Sequence, residues 1–261
     1  MDTSRAPIGV FDSGVGGISV LKRLVELMPH ENFVYMGDSA YNPYGSKTKQ
    51  QIIDRSCTIV NELLTHSIKA LVIACNTATS AASDYLRVQF PELPIIGIEP
   101  ALKVALDHPK TMPVLVLATP ATLTLEKYQE LEHKLGVQRN TSQVYRLGCK
   151  GLAHRIEQGN LNGDDLMQDL HTLLDEYRGV VNSVVLGCTH YPFVKQHICD
   201  ILGDVPCYDG AIGTARHCLS VLSARGLLNP SEDAGTIEFL SSTPGASQIA
   251  FYHSFYQLPL N

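Results

Sequence analysis

Long apolar runs, runs of basic charge and paired cysteines are all missing from this chain. No stretch reaches the roughly 18 apolar residues that a membrane-crossing helix needs, and the opening MDTSRAP lacks the apolar core of a signal peptide. Charged residues make up only 18%, the net charge is −6 and the sequence pI is about 5.9. Lysine and arginine are scattered, so a nucleic-acid partner gains nothing from electrostatics. The seven cysteines are odd in number and none falls in a CxxC pair, which argues against a disulfide framework or zinc ribbon and for a reducing compartment. A dinucleotide fingerprint starting at Gly14 would need glycine where Ser19 stands, and no pyridoxal-phosphate site is visible. The expectation is a cytoplasmic protein with no metal, no cofactor, no nucleic acid and no membrane.

What remains is a chain of 261 residues, 44% hydrophobic, long enough for two domains with packed cores. Two stretches resemble each other: LVIACNTAT (Leu71–Thr79) and VVLGCTHYP (Val184–Pro192). Each is an apolar run, a small residue, a cysteine and a polar cluster. Such runs read as buried parallel strands whose C-terminal ends open onto a crevice, where α/β sheets bind ligands. Strands are predicted at Ile8–Phe11, Phe33–Met36, the run ending at Cys75, Ile95–Ile98, Val114–Ala118, Gln143–Leu147, the run ending at Cys188, Val205–Tyr208 and Thr236–Leu240. Helical spacing follows Gly17, recurs at Ile52, Ile53, Cys57, Val60 and Leu64, and covers Thr77–Gln89, Leu123–Leu135, Gly151–Gln158, Leu166–Tyr177 and Ser247–Tyr256.

This alternation predicts an α/β fold with mainly parallel, doubly wound sheets. It also repeats. Asp12 to Cys75 spans about 63 positions and Thr119 to Cys188 about 69, the period of a duplicated domain. The expected division is 1–98 plus 208–261 for the first domain, with the tail completing it, and 99–207 for the second.

Taken singly, the motifs have bland readings. DSGVGG is a tight turn into a helix with Asp12 or Ser13 as a cap, or a site in which Ser13 and backbone N–H groups hold a carboxylate while Asp12 faces an ammonium; the turn is preferred. A lone cysteine is usually buried and inert, and Cys57, Cys199, Cys207 and Cys218 fit that. Asp38, Glu157 and Asp209 default to caps or solvated carboxylates. Of ten histidines only His190 sits beside a motif cysteine; the others, His108 among them, read as surface residues. Cys75 and Cys188 stand apart because their context is duplicated, and a helix start lowers a thiol's pKa.

Two thiols on opposite sides of a bound molecule suit inversion at an α-carbon: a thiolate removes the proton from one face and a thiol returns one to the other. Ser13, Asn76, Thr77 and Thr189 are the right types to hold the carboxylate, where charge grows as the proton leaves. Asp12 is placed to tune Cys75, and His190 or Glu157 to tune Cys188.

VFDSGVGG, GDSAYNPYG, ACNTAT, GIEPA and GCTHYP together resemble glutamate racemase, of the aspartate/glutamate racemase superfamily, from Ile8 to beyond Asp209. The resemblance implies two α/β domains related by pseudo-twofold symmetry with the active site between them. It implies cofactor-independent interconversion of L- and D-glutamate, with Cys75 taking the proton from D-glutamate and Cys188 from L-glutamate. Substrate contacts are implied at Asp12, Ser13, Tyr44, Gly45, Asn76, Thr77, Thr119, Thr189 and His190, and the biological role implied is D-glutamate supply for bacterial peptidoglycan. Many members carry arginine where this chain has Tyr41, and Gly-Thr where it has Ala118-Thr119. A racemase for aspartate or another acidic amino acid stays open as an alternative, as does a non-catalytic amino-acid-binding or redox module. A homodimer is left open too.

Overall fold

The computed structural model describes residues 3–107, 112–137 and 144–260. His108 and Gln143, each part of a sequence reading, lie outside the described residues. In chain order the elements are β1 (Ile8–Asp12), α1 (Ile18–Leu27), β2 (Phe33–Gly37), α2 (Lys49–Thr65), β3 (Ala70–Ile73), α3 (Asn76–Gln89), β4 (Ile95–Gly97) and α4 (Leu102–Leu106). The second half holds β5 (Val114–Ala118), α5 (Pro120–Thr124), α6 (Glu126–Lys134), β6 (Val144–Gly148), α7 (Leu152–Glu157), α8 (Asp164–Leu174), β7 (Ser183–Leu186), α9 (Lys195–Leu202) and β8 (Cys207–Asp209). The chain closes with α10 (Ala211–Ala224), β9 (Ile237–Ser241) and α11 (Ala246–Gln257).

The strands form two sheets, ordered β4-β3-β1-β2-β9 and β6-β5-β7-β8. Every pairing is parallel. Reversing the second gives β8-β7-β5-β6, the same order as β4-β3-β1-β2, so the duplication read from spacing is a duplication of topology. β9 is the extra strand, parallel to β2. β8 straddles the expected 207/208 boundary and pairs with β7 in the second sheet.

The strands are apolar at nearly every position because both faces are covered. In β1, Ile8 and Val10 face a cluster with Leu21 and Leu24 of α1, while Phe11 faces Ile52, Val60 and Leu63 of α2. In β5, Leu115 and Leu117 pack with α8 and α9, and Val114 and Val116 with Leu102 and Tyr128. Each such fully buried aliphatic side chain contributes about 1.5–3 kcal/mol by leaving water.

Two helices depart from the expected pattern. Leu123–Leu135 is not one helix: Pro120 starts α5 early, with Thr119 Oγ1 accepting from Thr122 N–H, and Leu125 is extended (φ −73°, ψ 139°) before α6 begins. On α2, a Thr48/Gln51 capping box sets the start and turns Leu63 inward, leaving Leu64 38% exposed. No helix among the described residues is long and apolar enough to cross a membrane.

Candidate active site

Four strand ends converge between the sheets. β1 delivers Asp12 and Ser13, β3 leads to Cys75–Thr77, β5 to Thr119, and β7 to Cys188–His190. With Asn42–Gly45 and Ala153, Ser13 and the residues from β3, β5 and β7 line one cavity, and both cysteines open onto it. Cys75 and Cys188 are 5% and 7% exposed, and both are free thiols. The space between the walls is about 20 Å³, room for about one water. An amino acid does not fit this volume, so the walls of the cavity must move to admit one.

Cys75 is the N-cap of α3, its Sγ accepting from Ala78 N–H at 3.4 Å and donating to Ser13 Oγ at 3.8 Å. The helix start was expected to lower its pKa. Burial dominates instead: desolvation pushes the thiol well above its ordinary range, the Asp12 charge adds to this, and the Ala78 and Ser13 contacts offset it only in part.

Cys188 Sγ lies 3.8 Å from His190 Nδ1, and His190 Nε2 lies 2.8 Å from Glu157 Oε2. An ionised carboxylate only accepts, so Nε2 carries the proton and Nδ1 is presented to the sulfur. A neutral ring accepts the thiol proton there; an imidazolium donates to the thiolate. Burial alone would lower the His190 pKa, but its hydrogen bonds to Cys188 and Glu157, and their charges, outweigh that and hold it well above 6.5. Glu157 thus acts on Cys188 through His190.

Asp12 does not cap α1, whose N-cap is Gly17. Its Oδ1 accepts from Gly14 N–H at 3.0 Å and its Oδ2 from Thr189 Oγ1 at 3.0 Å. Burial raises its pKa, opposed by the His190 charge and by these bonds. DSGVGG is therefore a tight turn and also a wall of the cavity through Ser13. Its glycines are set by close approach: a Cβ at Gly14 would sit 2.0 Å from Glu157 Oε2, and one at Gly16 2.3 Å from His190 Nδ1.

The hydroxyls of Thr77, Thr119 and Thr122 form a triangle of 2.9–3.2 Å contacts across the two halves. Asn42 Oδ1 and Asn76 Oδ1 are buried without a hydrogen-bond partner among the described residues. An unpaired buried carbonyl is costly, and both residues line the cavity, so these oxygens are ready acceptors for an ammonium while the hydroxyls supply donors for a carboxylate. The Tyr44 hydroxyl is committed elsewhere, donating to Asp38 Oδ2 at 2.6 Å. The Asp38 side chain makes no capping bond, although the residue precedes the short 3-10 helix Ser39–Tyr41, and it is not solvated. It is fully buried and gripped by Arg55 Nε (3.1 Å) and Nη2 (2.8 Å), and Arg55 in turn stacks 3.6 Å above the Tyr41 ring.

Sequence reasoning missed Ser39, Asn42, Thr122 and Arg55. The first two sit inside the recognisable GDSAYNPYG stretch, but Arg55 lies one helix on and nothing in its spacing marks it. Among the described residues no group of three His, Cys, Asp or Glu side chains could hold a metal ion.

Residues 8–218 match the family model for Asp/Glu/Hydantoin racemase. Glutamate racemase from Clostridium perfringens (strain 13 / Type A) is 46% identical over 243 residues, 92% of this chain and 92% of its own. Among solved structures, glutamate racemase from Francisella tularensis in complex with D-glutamate superposes with a TM-score of 0.82 at 29% identity, covering 98% of this chain and 96% of that one. The Escherichia coli enzyme in complex with L-glutamate and the activator UDP-MurNAc-ala gives 0.81 at 28% identity, covering 96% and 95%. On sequence and fold together, the chain belongs to the Asp/Glu/Hydantoin racemase family, alongside its glutamate racemases.

Proposed function

We propose that this chain interconverts L- and D-glutamate by a two-base mechanism in which Cys188 removes the α-proton of L-glutamate and Cys75 that of D-glutamate. The observation that carries the reading is the cavity shared by two thiols, each just past the same strand of a repeated four-strand order. With L-glutamate bound, Cys188 as thiolate takes the α-proton and Cys75 as thiol donates to the opposite face of the planar intermediate; the reverse direction exchanges their roles. His190 relays protonation to Cys188, with Glu157 fixing its tautomer. Asp12, screened by Thr189 and Gly14 N–H, sets the electrostatic environment of Cys75 and His190. Ser13, Asn76, Thr77, Thr119, Thr189 and the Tyr44–Gly45 turn hold the amino acid.

Relatives named glutamate racemase favour glutamate over aspartate as the substrate. The domains in this reading are 1–98 plus 208–261 and 99–207, with β8 crossing their boundary, and they part to admit substrate. Cytoplasmic location and supply of D-glutamate for peptidoglycan belong to the same proposal; the option of a homodimer is decided by sedimentation velocity. The test is incubation with L-glutamate in D2O without added cofactor, followed by chiral chromatography and mass analysis. D-Glutamate carrying one solvent deuterium at Cα is expected. D-Glutamate that kept its original proton would refute the two-base form, and turnover of aspartate but not glutamate would move the substrate assignment.

A further inference from the structure

The family match ends at residue 218, yet the segment beyond it reaches the catalytic centre. Ser39 Oγ donates to Glu157 Oε1 at 2.6 Å. The same oxygen lies 2.8 Å from Tyr252 Oη and accepts from Gln248 Nε2 at 3.3 Å, both on α11. Tyr252 Oη lies 3.1 Å from Ser241 Oγ at the end of β9. Gly37, at the end of β2, leaves room for it: a Cβ there would stand 2.1 Å from Tyr252 Oη.

Counting protons fixes the direction of this chain. Ser39 has one hydroxyl hydrogen, committed to the carboxylate, which is the strongest acceptor in reach. Its oxygen can then only accept, so Tyr252 donates to it. Gly37 O, at 3.2 Å, is the weaker competitor for the Tyr252 hydrogen. With that hydrogen spent, Ser241 donates to Tyr252. Every hydrogen points toward Glu157, and aligned donors of this kind polarise one another.

We propose that Tyr252, with Ser39, Gln248 and Ser241, is a positioning residue for the Cys188 half-reaction: the C-terminal helix holds the Glu157 carboxylate, which orients His190 against the Cys188 sulfur. The inference rests on the two-thiol reading. It separates this half of the site from the other, since the Cys75 sulfur is hydrogen-bonded to Ser13 and Ala78 and, among the described residues, has no hydrogen bond to α11.

Isotope effects test it. Enantiomers are isoenergetic, so kcat/KM falls equally in both directions for any variant and cannot show which thiol is impaired. The deuterium effect at Cα can, because it reports how far each proton abstraction limits the rate. For Tyr252→Phe, which keeps the ring in the core, and for Ser39→Ala, kcat/KM should drop about three- to tenfold, the scale of one lost charge-assisted hydrogen bond felt at one remove. With Cα-deuterated L-glutamate the isotope effect on kcat/KM should rise above the wild-type value, and with deuterated D-glutamate it should not rise. Gln248→Ala, on the outer side of the chain, should give the same asymmetry at smaller size. An isotope effect unchanged in both directions, or raised equally in both, overturns the inference. Should Tyr252→Phe fail to fold by circular dichroism, Ser39→Ala decides. A wild-type protein that incorporates no solvent deuterium would instead overturn the two-thiol reading itself.

Discussion

Glu157 Oε2 accepts the backbone N–H of Val15 at 2.8 Å, joining the second half of the molecule to the first through the carboxylate that also holds His190. One carboxylate thus serves both this contact and the proposed relay. In the proposed mechanism, parting of the halves would break the Glu157 bonds to Val15 and Ser39 together and so couple cleft opening to Cys188. Glu157→Gln keeps the volume but replaces one carboxylate oxygen by a donor that faces another donor. A loss of about 10- to 100-fold in kcat/KM is expected, measured by chiral chromatography of initial rates. Activity within twofold of wild type would remove Glu157 from the relay.

Cys75→Ala and Cys188→Ala should each reduce racemisation by at least about 10³-fold, because each direction needs a base on one face and an acid on the other. The folded state should persist, since alanine fills most of the space of a small apolar thiol. Appreciable racemisation by either variant shows that a different group moves the proton.

Gly14→Ala and Gly16→Ala place a methyl against Glu157 and His190, both of them polar side chains held from two sides. The closed state is disfavoured while each half stays intact. The expectation is a fall in kcat/KM of at least tenfold, on the order of 1.4 kcal/mol or more, with a thermal midpoint that moves by only a few degrees. Full activity in Gly14→Ala would show that the halves do not need this approach.

Arg55→Ala leaves the buried Asp38 without a counter-charge, held only by the Tyr44 hydroxyl among the side chains of the described residues, and should cost about 3–5 kcal/mol of stability in urea melts. Arg55→Lys restores the charge without the two-pronged grip and should recover only part of it. Because Tyr44 hangs on the same carboxylate, KM should rise more than kcat falls. Stability unchanged in Arg55→Ala would contradict the pairing.

The pH dependence of stability follows from His190. Its folded pKa lies above the unfolded value of 6.5, so its contribution is fully present below pH 6.5 and is lost as pH rises through the folded value. Asp12, an acid raised by burial from 3.8, acts in the same direction from lower pH. The urea midpoint should decline from neutral to alkaline pH, and His190→Asn should flatten the upper part of that decline. A urea midpoint that stays flat over this range would contradict the raised His190 value.

Much of the fold was legible because buried parallel strands leave near-continuous apolar runs and polar ends, as at Ile8–Asp12 and Val114–Thr119. The boundaries that failed were set locally by competing signals, as at Leu125, where Thr119 and Pro120 begin a helix too early for its apolar repeat. In the site, Cys75 and Cys188 could be read from a repeated motif. Arg55 and Tyr252 could not, since each reaches the site from a helix whose own periodicity explains its position as packing.

From the linear chain alone came the duplicated α/β pattern, the two cysteines and the polar residues beside them, because each depends on neighbours within a few positions. Folding decided the rest: that both thiols open onto one narrow cleft, that burial raises Cys75 despite its helix N-terminus, and that Glu157 is held from Val15, Ser39 and α11. Desolvation and hydrogen bonding across more than a hundred residues are properties of packed surfaces, and no local pattern encodes which surfaces will meet.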